Sequence, residues 1–160
     1  MKDMEHAPGA SVVGRLTDIA PWEAELILSI RLWMDSPEGR AEIWNGFARC
    51  FGASNGRLEL RRFETLLTSI CSTARRPLIR HGLGCDCIGS DEAILRTLVR
   101  EATRGDLPEA TMIASLLVPA RHAEPIALMA AKVGQAMQRL ARDAPASAST
   151  QSQTEHRILH

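Results

Sequence analysis

Tyrosine is absent from this chain of 160 residues, and aromatic residues make up only 4% of it. Sheets draw on aromatic and β-branched side chains, so this scarcity argues against a β-rich fold. An excess of one charge is missing as well: nineteen Lys and Arg balance nineteen Asp and Glu. No global field therefore draws the protein to nucleic acid or to an anionic membrane, which leaves only local patches for such a role. Long hydrophobic runs are lacking too. The greasiest stretch, residues 113–118, falls far short of the roughly 20 residues of a membrane span. Met1–Arg15 holds Asp3, Glu5, Pro8 and Gly9 and no apolar stretch of the signal-peptide kind. The expectation is a cytoplasmic protein in a reducing compartment, where clustered cysteines serve as metal ligands more often than as disulfides.

What is present favours helices. From Pro21 the apolar residues Trp22, Leu26, Ile27, Ile30, Trp33 and Met34 recur at helical spacing. Ser36-Pro37-Glu38 reads as a cap, a first-turn proline and a dipole-matching acid, opening a second helix that Gly52 ends. Ser54-Asn55-Gly56 reads as a turn. A third helix is expected over about 57–75, with Phe63, Leu66, Leu67, Ile70 and Cys71 on one stripe. Further helices are predicted after Ser90, after Asp106 and from about Pro125. The spacing predicts an all-α single domain of about six helices over 19–143, with no strand. Residues 1–18 are expected to be a flexible arm and 144–160 a disordered tail, because neither has the apolar content to offset ordering entropy.

The chemistry concentrates between helices three and four. Cys71, His81, Cys85 and Cys87 form the pattern C-x9-H-x3-C-x-C, threaded with Gly82, Gly84 and Gly89. Three thiolates and one imidazole suit a four-coordinate structural Zn²⁺, with an iron–sulfur cluster as the alternative. Cys50 is the substitute for Cys71 in that shell, and Cys85 with Cys87 could instead form a redox pair. The glycines are expected to supply positive φ or close approach. Asp91 and Glu92 read as first-turn carboxylates of the fourth helix. Arg57, Arg61, Arg62, Arg75, Arg76 and Arg80 make the third helix and its exit basic, the one feature that suggests contact with DNA phosphates. The expected function is an interaction or regulatory module with a protein partner or a second copy, its zinc structural and not catalytic. A DNA-binding regulator comes second and a small metal- or thiol-dependent enzyme third.

Overall fold

The computed structural model describes residues 9–144. The helical stripes expected from the spacing are there: α1 Pro21–Asp35, α2 Pro37–Phe51, α3 Ala53–Thr73, α4 Ser90–Arg104, α5 Leu107–Ala114 and α6 Ala120–Asp143. Their punctuation is local chemistry. The Ser36 hydroxyl accepts a hydrogen bond from the Gly39 amide at 3.1 Å, and Asp106 does the same for the Glu109 amide at 3.1 Å. Gly52 and Gly105 follow α2 and α4 at φ of 79° and 89°, a conformation that side chains with a Cβ resist.

One hydrophobic core runs through all six helices, from Leu26 and Ile30 through Phe47, Phe63 and Leu98 to Val133 and Met137. Each such side chain, fully buried, contributes about 1.5–3 kcal/mol of transfer free energy. α6 is the central element, packed against α1, α3, α4 and α5. It meets α4 at Gly134, where an added Cβ would lie 1.7 Å from the Thr103 hydroxyl oxygen. Trp22 and Trp33 are part-buried against this core, in keeping with their place on the α1 stripe.

Three expectations need correction. A strand exists: β1 (Val12–Arg15) pairs antiparallel with β2 (Cys87–Gly89), with Arg15 opposite Cys87 and Gly14 opposite Ile88. It lies inside the stretch expected to be a loose arm, and a 3-10 turn, Leu16–Asp18, leads from it to α1. Next, Ser54-Asn55-Gly56 is no turn but the first turn of α3, which begins four residues earlier than its stripe suggested. Gly56 allows this because its Cα side faces the α2 backbone, with a notional Cβ 3.0 Å from the Ala48 Cα. Last, α6 starts at Ala120 and carries Pro125 inside its second turn. The tail expected over 144–160 lies outside the described residues beyond Ala144, as do residues 1–8 of the arm. Among the described residues no helix is long and apolar enough to cross a membrane.

Candidate metal centre

The loop between α3 and α4 is organised by a residue of α1. Arg31 is completely buried, and so is its partner Glu92 in the first turn of α4. Its Nε donates to Glu92 Oε1 at 2.7 Å and its Nη2 to Oε2 at 3.0 Å. The remaining donors reach loop carbonyls: Nη1 to Gly82 at 3.1 Å and Cys85 at 2.6 Å, Nη2 to Cys87 at 2.5 Å. All the donors of one guanidinium are thereby engaged. Glu92 is equally complete, since its oxygens also accept the His81 amide at 3.2 Å and the Gly89 amide at 2.9 Å. Burial works to raise the Glu92 pKa. The hydrogen bonds from Arg31 and the two amides outweigh it and hold the carboxyl below the ordinary range. Asp91, the other first-turn acid, is buried as well. It accepts both ends of the Arg76 guanidinium at 2.8 and 2.9 Å and the Ile79 amide at 2.9 Å. Both carboxylates stand where a helix dipole favours them, and both also grip the preceding loop.

So held, the loop brings three potential ligand atoms together: Cys85 Sγ, an Asp86 carboxylate oxygen and Cys87 Sγ lie within 4.8 Å of one another. His81 stands beside them, its Nδ1 3.9 Å from Cys85 Sγ. Its Nε2 lies 2.9 Å from the Ala10 carbonyl, which can only accept. The neutral ring must therefore carry its hydrogen on Nε2 and turn the Nδ1 lone pair towards the thiol. Zn–S and Zn–N lengths of about 2.3 and 2.0 Å would put a tetrahedral N···S pair about 3.5 Å apart, so His81 and Cys85 at 3.9 Å would need to close by a few tenths of an ångström to share an ion. The Cys87 amide also donates to Cys85 Sγ at 3.4 Å, the kind of support that metal thiolates take from backbone. The Cys87 thiol is pushed above its ordinary pKa, first by its hydrogen bond with Cys85, then by desolvation and by the neighbouring Asp86 carboxylate. Asp86 is held below the usual carboxylate range, chiefly by its hydrogen bond from Arg15.

Cys71 does not join this group. It lies exposed on α3, one residue past the buried Ile70, so the stripe that carries Phe63, Leu66 and Leu67 inward leaves it facing solvent. Cys50 cannot replace it, because its thiol is engaged elsewhere, 3.3 Å from the Asp143 carboxylate at the end of α6. Of the expected ligands the loop brings Cys85 and Cys87 together, with His81 near Cys85 alone, and it adds Asp86, an exposed residue outside the expected set. Comparison with protein families, curated proteins and solved structures returns no match. What this chain does must be argued from its own side chains.

The glycines of the loop divide. Positive φ is confined, among the described residues, to Gly9, Gly52 and Gly105, so none of Gly82, Gly84 and Gly89 needs it. Gly89 instead gives close approach: a Cβ there would meet His81 Cδ2 at 2.7 Å. The basic residues of α3 and its exit are largely committed within the molecule. Arg76 grips Asp91, Arg80 reaches Asp35 at 3.4 Å and Arg62 pairs with Glu59 at 2.8 Å. Arg57 lies 5.9 Å over the Trp44 ring, and the Arg75 guanidinium donates to the Ser115 carbonyl. Arg61 lines an open apolar groove with Leu58 and Met129.

Proposed function

We propose that the protein is a small zinc-binding helical module whose role is interaction or regulation. The observation that carries this reading is the convergence of Cys85 Sγ, Asp86 and Cys87 Sγ within 4.8 Å, beside a His81 ring whose Nδ1 is turned towards Cys85. Two thiolates, an imidazole and a carboxylate form a mixed donor set that zinc accepts readily. An iron–sulfur cluster takes thiolates as its principal ligands, and this loop offers two. The loop is already fixed by Arg31, Glu92 and Asp91. An ion bound there would change the charge and stiffness of a formed surface more than it would build the fold, which favours a regulatory ion over a staple.

Elemental analysis of the purified protein should find about one zinc per chain. Replacement by Co²⁺ should give the thiolate charge-transfer absorption of a cobalt–sulfur bond. Cys85→Ser and Cys87→Ser should each weaken or abolish it, whereas Cys71→Ser should leave it intact. The reading fails if the protein takes up neither ion, or if the double Cys85→Ser, Cys87→Ser variant binds as the parent does. Light scattering with and without zinc then tests whether the ion changes association between copies.

A further inference from the structure

The segment Gly9–Leu16 touches the loop at three of the groups that the metal reading uses: His81, Asp86 and Cys87. The Ala10 carbonyl fixes the His81 ring. Arg15 donates to Asp86 Oδ2 from Nη2 at 2.6 Å and from Nε at 3.1 Å, while Asp86 Oδ1 faces Cys87 Sγ at 3.8 Å. One carboxylate oxygen is thus held by the N-terminal strand, and the other is turned towards the thiols. The Leu16 amide donates to the Asp86 carbonyl at 2.8 Å, and β1 pairs with β2 from Cys87 to Gly89. Gly9 closes the contact. Its carbonyl accepts the Asp91 amide at 3.1 Å, and at φ of 97° it lies so near the Asp91 carboxylate that a Cβ would meet it at 2.1 Å.

We propose that this segment is part of the metal site, with Arg15 as a positioning residue, so that ion binding and docking of β1 are linked. The ligand set is His81 Nδ1, Cys85 Sγ, Asp86 Oδ1 and Cys87 Sγ. Arg15 and the Ala10 carbonyl supply the outer contacts that orient a carboxylate and an imidazole ligand in metalloproteins generally. The inference rests on the zinc reading above and adds how the ion is regulated and what it reports. Linkage is reciprocal: whatever factor the docked strand adds to ion affinity, the ion adds to docking of the strand. Among the described residues the exposed Arg15 guanidinium hydrogen-bonds only Asp86, while the loop carbonyls and Glu92 are held by Arg31. The N-terminal strand therefore becomes the moving part that responds to the ion.

The test uses the full chain, zinc, and three variants. Arg15→Ala should keep its circular dichroism and bind zinc about 10–100-fold more weakly, the usual effect of losing an outer contact. Arg15→Lys should recover part of that loss by restoring a positive charge beside Asp86. Arg31→Lys serves as the contrast, since it should lower stability as well as affinity. In hydrogen exchange, zinc should slow the Leu16 amide and its β1 neighbours in the parent and much less in Arg15→Ala. If the parent binds zinc but Arg15→Ala binds equally well and β1 exchange ignores the ion, the linkage is wrong and the metal reading stands. If the parent binds no zinc, both are wrong.

Discussion

At the scale of single residues, the largest energies belong to Arg31 and Glu92. A buried ion pair is neutral at best against an apolar replacement of both partners, yet removing one partner strands a charge in a low dielectric. Arg31→Met should therefore cost about 3–5 kcal/mol in urea unfolding, while the double variant Arg31→Met, Glu92→Leu recovers a large part of that loss. A double variant no more stable than the single would show that the loop carbonyls of Gly82, Cys85 and Cys87, and not Glu92, set the cost. Acid should attack the same pair. Because the Glu92 pKa is lowered on folding, its stabilisation is complete above the unfolded carboxylate value of about 4.3 and drains away as pH falls through the folded value. The unfolding midpoint should then drop steeply below about pH 4, and Glu92→Gln should flatten that slope. Arg31 was open to sequence reading in one respect only. It follows Ile27 by four positions on the apolar stripe of α1, where a cation needs a buried partner. Which partner, 61 residues away, no local pattern could state.

At the scale of elements, the helices were legible because proline, glycine and capping side chains punctuate stripes of period 3.6. Their starts were less so. Gly56 read as a turn residue, and only contact with Ala48 explains why it is helical. Strand β1 was illegible for a physical reason: Val-Val-Gly-Arg is short, both valines are exposed, and its partner is a loop far along the chain. The cysteine–histidine spacing pointed to the loop where Cys85 and Cys87 converge with Asp86. It misjudged Cys71, because a residue at the edge of a stripe turns outward with a small rotation of the helix. Close helix packing yields a prediction of its own. Gly134→Ala would gain about 1 kcal/mol of helix propensity, but it drives a methyl into Thr103 and Val99. Overpacking of that kind costs about 1–3 kcal/mol, so the variant should melt lower than the parent. Adding Thr103→Ala should restore the propensity gain. Should Gly134→Ala melt higher on its own, the α4–α6 contact is looser than its geometry implies.

At the scale of the whole molecule, β1 closes a long circuit. Arg15 and Asp86 are 71 residues apart in the chain, and between them lie α1, α2 and α3. Bringing such distant points together costs about 4 kcal/mol of chain entropy, which a short two-stranded ladder returns slowly. The helices, rich in local contacts, have no such delay. Strand pairing should therefore be among the last events of folding and among the first to be undone. Substitutions at Arg15 should speed unfolding with little effect on the folding rate, a φ-value near zero, while Phe63 or Leu98 variants slow folding itself. The loop between α3 and α4 is then finished only when β1 returns to a helical body that is already complete.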